Sequence, residues 1–457
     1  MKTISLLLIT AVILLYPGKV KPQQNHLPRL LVTTDIGGDP DDQQSMIRLM
    51  LYSNEFEIEG LIASASGTPG ELKEAVVKPH LIEEIVNAYA MVEENLRLHS
   101  PGFPSAAYLK SVIKKGNPHR GWEKVGKGND TEGSDWIIQC VDRPDDHPLN
   151  IAIWGGQTDL AQALWKVKNT RTEQQYEDFV SKIRIYDIMD QDGIFSKIWE
   201  TFPGLFYILN KAPKGEDKRN AVFRGMYLGG NEKLTSMAWF AENVLENHGP
   251  LGKMYPTKTW TAPNPHGLMK EGDTPSWFFF LKNGLNCPAH PKYGGWGGRF
   301  IKNQRGYYSD ATDSFQGETN ARATVSRWRD DFQREFAARL DWCLTDFENA
   351  NHTPVVVVNG NDQKGLLVIQ RKPGEKIKLD ASKSSDPDGD NLMFEWEIYP
   401  EVENFTGELK LTPKGKKAEL LMPPLDDNSV VHIILKATDN GSPKLTGYKR
   451  IILMNGK

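Results

Sequence analysis

Residues 31–46 read LVTTDIGGDPDDQQSM, an apolar strand that runs into a glycine-hinged loop and then into a pattern suited to a buried helix. Asp35, Asp39, Asp41 and Asp42 fall within eight positions of that loop. Four carboxylates so close repel one another unless a cation or a shared proton lies between them, and a hard oxygen-loving ion, calcium (Ca2+) first, is the economical remedy. Gly37 and Gly38 free the backbone for positive φ and fold the carboxylates inward, while Met46, Ile47, Leu49 and Met50 supply the apolar residues of a buried helix. Such a strand, loop and helix constrain the chain to an α/β sheet with a ligand at the C-terminal ends of the strands. A solvated acidic turn is the alternative for the same residues.

At 457 residues the chain is too long for one ordinary core. Up to about residue 350, short β-rich runs (Leu30–Thr34, Glu57–Ala63, Asn150–Trp154 and Lys182–Ile188) alternate with helical stretches such as Ala75–Val92 and Asp159–Val167. That order predicts a mostly parallel sheet flanked by helices. Apolar residues recurring from Val325 through Trp328, Phe332, Phe336 and Leu340 predict a long closing helix, which fades into a linker at Asn349–Pro354. Beyond it, Val355–Val358, Leu366–Arg371, Lys376–Leu379, Leu392–Ile398, Ala418–Met422, Val430–Thr438 and Gly447–Leu453 predict a seven-stranded sandwich centred on Trp396.

Residues 2–16 join an early lysine to an apolar run too short to span a bilayer, which reads as a signal peptide. The expected organisation is a leader over 1–24, an α/β domain over 25–350 and an all-β domain over 351–457, periplasmic or secreted, with no stable membrane span after processing. The net charge of −4 implies no nucleic acid partner. Cys140, Cys287 and Cys343 make an odd, widely spaced set that fits neither a full disulfide framework nor a local zinc motif; one pair is the alternative to reading them as small apolar residues.

Several stretches, in order, carry a resemblance. The Asp-rich loop, Glu57–Gly67 and Leu149–Ala161 resemble three successive signatures of the nucleoside hydrolase superfamily. Trp154-Gly155-Gly156, Lys270–Ser276 and Tyr293–Phe300 are similar to a bacterial family described as cellulose-binding proteins with a nucleoside-hydrolase-like domain. Leu379–Asp390 and Ala437–Gly441 resemble cadherin-like and polycystic-kidney-disease modules of the immunoglobulin-like class. Asp386, Asp388 and Asp390 there read as turn residues, with a second calcium site as the alternative.

The resemblance implies that Asp35, Asp42 and the backbone carbonyl of Trp154 bind calcium, that Asp41 is the general base, and that a last carboxylate comes from late in the domain. Asp273 is the choice for it, with Asp310 and Asp313 in reserve; a helix N-terminal carboxylate beside Pro275 is the other reading of Asp273. The gap between Asp35 and the Asp41–Asp42 pair is two residues longer than in many members of the superfamily, so Asp39 is a substrate contact or an alternative to Asp41. Gln191 and Asp192 follow a strand and are expected at the sugar, although the glycine pair and asparagine of ribose recognition are missing. The leaving-group histidine has no clear match; His266 and His290 lie near Asp273 in sequence but read first as structural or exposed. Most of the 12 tryptophans read as core, but Trp296 is fenced by Gly294, Gly295, Gly297 and Gly298 and, with Arg299, is expected to contact a glycan.

Two functions follow as expectations. One is a calcium-dependent hydrolase of a furanosyl or N-ribosyl-like glycosidic bond, using water activated by Asp41. The alternative is a non-catalytic carbohydrate-binding protein on the same scaffold, taking a cellulose-like polysaccharide.

Overall fold

The computed structural model describes residues 26–68, 74–258, 267–402, 405, 407–426 and 429–456. The expected leader over 1–24 lies outside the described residues. No helix among them is long and apolar enough to cross a membrane.

Eight strands form the main sheet: β1 (Arg29–Thr34), β2 (Glu57–Ala63), β3 (Ile113–Lys115), β4 (Leu149–Trp154), β5 (Ile183–Ile188), β6 (Phe206–Asn210), β7 (Phe300–Lys302) and β8 (Tyr308–Asp310). Their order is β3-β2-β1-β4-β5-β6-β8-β7, parallel throughout except for the β7/β8 pair at one edge. All six residues of β1 and of β4 are buried, as central strands covered on both faces require. Their side chains part by the period of two. Leu30, Val32, Ala152 and Trp154 enter one apolar layer, while Leu31, Ile151 and Ile153 enter the other.

Several boundaries differ from the expected ones. The helix expected over Ala75–Val92 is Pro79–Ala90, because Pro79 fills the first helical position and the chain before it turns, with Ala75 at φ 58°. The closing helix is two pieces, Ala323–Ser326 and Arg329–Asp341. All three cysteines are free.

The C-terminal domain pairs two sheets. Leu367–Arg371, Thr446–Asn455, Val431–Thr438 and Met393–Ile398 form one, and Lys376–Asp380, Lys417–Leu421 and Thr412–Lys414 the other. Val355–Val358 forms isolated bridges rather than a strand, and the short strand Thr412–Lys414 was not anticipated. Trp396 lies in the core of this domain. In the Asp386–Asp390 segment, Asp386 Oδ1 accepts from the amides of Asp388 (2.9 Å) and Asp390 (3.1 Å), so the segment is a turn.

The two domains share one apolar layer. Tyr399, Val402, Ile434 and Tyr448 of the sandwich join the core that covers the face of the main sheet carrying Trp154. Arg450 donates from Nε to the Leu285 carbonyl (2.7 Å) and from Nη2 to the Gly294 carbonyl (3.0 Å). This seam corrects two expected glycan contacts. Trp296 is fully buried, packed on Phe278, Phe332 and Tyr448. Its glycine neighbours allow close backbone approach, since a Cβ on Gly297 would lie 2.3 Å from the Phe279 nitrogen. Arg299 is buried too, donating from Nε to Asp313 Oδ1 (2.7 Å) and also bonding the Thr312 carbonyl. Asp313 also takes Arg327 (3.2 Å) and the Tyr399 hydroxyl (2.5 Å), which removes it as a reserve metal ligand.

Candidate metal centre

β1 has β2 on one side and β4 on the other, so the chain reverses its direction of winding between β1 and β4. The loops after these strands open a crevice at their C-terminal ends, where open α/β sheets bind ligands. Asp35 follows β1, and Gly155 follows β4 at φ 117°. A Cβ at Gly155 would stand 2.8 Å from the Asp35 side chain, so the Trp154-Gly155-Gly156 signature lets one loop pass beneath that carboxylate. Gly67, after β2, closes the other side, its amide donating to the Asp35 carbonyl (2.9 Å).

Asp41 and Asp42 open the helix Asp41–Leu51, where the N-terminal dipole favours carboxylates. The Thr34 hydroxyl bonds Asp42 and accepts from the Ile36 amide (3.1 Å). The same helix recruits the distant loop that carries Asp273. Gln44 Oε1 accepts from the amides of Lys270 (2.9 Å) and Glu271 (3.2 Å), and Arg48 forms a buried two-point ion pair with Glu271. Glu271, at φ 35°, also accepts from the Tyr255 (2.5 Å) and Thr274 (3.0 Å) hydroxyls. From the β4 side, Trp154 Nε1 donates to Ser276 Oγ (2.6 Å), which donates to the Asp273 carbonyl (2.6 Å).

One carboxylate oxygen from each of Asp41, Asp42 and Asp273 lies within 4.8 Å of the others. Asp273 Oδ2 is buried without a hydrogen-bond partner among the described residues. Burial and then repulsion from neighbouring carboxylates, Asp35 among them in every case, raise all these acids, Asp41 to about 7 and Asp42 and Asp273 well above the usual carboxylate range. An oxygen-only donor set with an orphaned buried oxygen fits a hard divalent ion. Asp35 stands differently from its expected place among the ligands. It is paired with Arg120 and, chiefly through burial, is raised to about 6. The Trp154 carbonyl, at the end of β4, accepts a long bond from the Asp35 amide (3.4 Å).

The cluster lines a cleft of about 800 Å³. Asp39 is there, 3.4 Å from Lys270 Nζ, and so is Gln191, delivered by Met189 and Asp190 in left-handed conformations (φ 70° and 54°). Asp192 is corrected: it is buried behind the cleft, taking the amide (2.8 Å) and hydroxyl (2.6 Å) of Thr158 and lying 3.6 Å from Arg120 Nε. It positions Arg120 rather than substrate. Asp310 is half-buried and does not line this cleft, accepting from the Val222 amide (2.8 Å). His290 stacks on Tyr293 and does not line the cleft, and His266 lies outside the described residues. Among the described residues no histidine lines the cleft. Arg120, Phe223, Arg224 and Tyr227 do, and none was foreseen. They come from irregular segments whose sequence has no motif or period.

Residues 29–300 match the family model described as "Cellulose-binding Sde182, nucleoside hydrolase-like domain", and residues 376–455 match "Cellulose-binding protein Sde0182, C-terminal domain". A solved structure of a nucleoside hydrolase-related hypothetical protein from Saccharophagus degradans, described as associated with carbohydrate metabolism, is similar at 32% identity. That match covers 94% of this chain and 100% of the other, with a TM-score of 0.79. Protocadherin gamma B2 extracellular cadherin domains 3-6 match at 14% identity over 23% of this chain and 26% of the other, with a TM-score of 0.17. No curated protein matches the chain. With both of its domains matched in order and the strand-end carboxylate crevice in place, the chain belongs to the family of cellulose-binding proteins that carry a nucleoside-hydrolase-like domain.

Proposed function

We propose that this is an exported carbohydrate-binding protein whose cleft holds sugar over a calcium ion bound by Asp41, Asp42 and Asp273, with the Trp154 carbonyl as a further ligand. The observation that carries this reading is the convergence of three carboxylates, one oxygen of Asp273 having no hydrogen-bond partner among the described residues, beside a sugar-sized cleft. The family description supports carbohydrate, and cellulose in particular, as the partner. A bound calcium ion would supply a fixed positive point for neighbouring sugar hydroxyls and would relieve the repulsion within the cluster. The chain supplies the rest. Asp35 stays ionised against Arg120, Lys270 neutralises Asp39, and Gln191 offers an amide to a hydroxyl. The test is metal content and retention on insoluble cellulose for wild type and Asp42→Ala, with and without chelator. The expected result is about one calcium per chain, lost together with retention in the variant and in chelator. A folded wild-type protein without calcium would overturn the reading.

A second reading, hydrolysis of a furanosyl or N-ribosyl-like bond, is favoured by Asp41. It is half-buried where Asp42 and Asp273 are buried, and its carboxyl is held up near 7, where a general base works well at neutral pH. In that case Asp41→Asn, which keeps an oxygen ligand, abolishes product release while calcium and sugar are still held. Absence of product from wild type across furanosides, nucleosides and cello-oligosaccharides would leave binding alone.

A further inference from the structure

The charges of the cleft pair off unevenly. Asp35 is taken by Arg120, Asp39 by Lys270 and Asp217 by Arg219. That leaves the three carboxylates of the proposed metal site and, on the opposite side of the ledger, Arg224 and Arg322. Among the described residues neither arginine has a carboxylate within ion-pairing distance, and the Nε of each is buried without a hydrogen-bond partner.

Their placement is built rather than incidental. Arg224 lies in the one-turn segment Val222–Met226, which packs on the helix Ala323–Ser326 immediately after Arg322. The backbones approach so closely that a Cβ on Gly225 would stand 2.3 Å from the Arg322 carbonyl oxygen. The Arg224 guanidinium lies 4.7 Å from the centre of the Phe223 ring and bonds the Tyr227 hydroxyl, so it is oriented without an ion pair, although its charge reaches Asp41 and Asp273 at longer range. Three carboxylates with one divalent ion leave a single negative charge. Arg224 and Arg322 stand beside it in the cleft, each with a buried Nε that has no acceptor among the described residues.

We infer that the cleft takes an acidic sugar, a glycan unit bearing a carboxylate such as a uronic acid, and that Arg224 and Arg322 are its partners. Guanidinium groups match carboxylates in shape and form charge-assisted bonds stronger than those to neutral hydroxyls. The inference rests on the carbohydrate-binding reading above and sharpens it: the neutral part of the ligand faces the calcium, and its acid faces the arginine pair.

The test uses the full chain with calcium present and isothermal titration with glucuronoxylan oligosaccharides, the same oligosaccharides after carboxyl reduction, and sulfated xylan oligosaccharides. The acidic form is expected to bind about tenfold more tightly than the reduced one, a difference of about 1.4 kcal/mol. Arg322→Gln is expected to bring that ratio close to one, and Arg224→Gln to do the same, with calcium content of each variant as the check on folding. Equal binding of acidic and reduced forms by wild type overturns the inference while leaving the carbohydrate reading standing. A ratio that survives in both variants, or sulfated oligosaccharides that bind as tightly as the uronate form, overturns it as well. Failure to bind any of these oligosaccharides or cellulose sinks both readings together.

Discussion

Asp35 and Asp42 are neighbours in the crevice, yet among the described residues only Asp35 has a cation of its own. The Asp-rich loop makes both legible as charged and close, because they lie a few positions apart on a hinged turn. Arg120, which decides between them, arrives from 85 positions away on an irregular segment, and nothing local marks it. The glycines beside Trp296 show the same limit. Glycine says that something comes close, not whether it is a sugar or the chain itself, and here it is the Phe279 backbone and Asn286. A different residue gives a pH-dependent signature. His432 is buried against the Tyr293 ring with Nδ1 3.1 Å from Arg450 Nη1, and burial followed by that charge lowers its pKa from 6.5 to about 2. Below about pH 6.5 the unfolded chain gains a proton at this site that the folded chain refuses. The stability it contributes is therefore present above that pH and is lost on acidification. Urea unfolding of wild type and His432→Gln at several pH values should show wild type losing about 1.4 kcal/mol per pH unit relative to the variant below pH 6.5. Parallel curves would contradict this.

At the scale of elements, the helix Asp41–Leu51 links fold to site. Its first turn carries Asp41 and Asp42, and its later turns hold the Asp273 loop through Gln44 and Arg48. The strands were readable because burial on both faces demands apolar runs, whereas helix ends and the split closing helix depended on packing that no periodicity reports. Lys270–Ser276 was readable as a motif and Asp273 as a candidate ligand or helix N-terminal carboxylate, and the structure brings Asp273 beside Asp41 and Asp42. The part played by Glu271 was not, because its partner Arg48 is 223 positions distant. Glu271→Ala would leave the Arg48 guanidinium buried without its counter-charge, at a cost of about 3–5 kcal/mol. The expected outcome is a marked fall in unfolding midpoint together with weakened calcium binding, since the loop holding Asp273 loses its clamp. Calcium affinity equal to wild type in the folded variant would show that the loop holds its position without the ion pair.

Over the whole molecule, the sandwich is not a loosely tethered module. Its Tyr399 and Tyr448 enter the core of the α/β domain, Trp328 meets both of them, Trp296 packs on Tyr448, and Arg450 closes the seam by bonding two carbonyls across it. Trp296→Ala should therefore cost about 3–5 kcal/mol and separate one cooperative unfolding transition into two, as followed by calorimetry. A single transition with an unchanged midpoint would show that the tryptophan contributes nothing to domain coupling. By itself the sequence determined what is local or periodic: alternating elements of a parallel sheet, an all-β tail, and a carboxylate loop at a strand end. Hydrophobic period, turn chemistry and like-charge repulsion act over a few residues and leave their mark there. Only the tertiary structure decided which carboxylates meet, which cation neutralises Asp35, which arginines remain unpaired and which glycine-rich loop is a seam. Those outcomes depend on contacts between segments tens to hundreds of residues apart, whose mutual approach no short stretch of chain encodes.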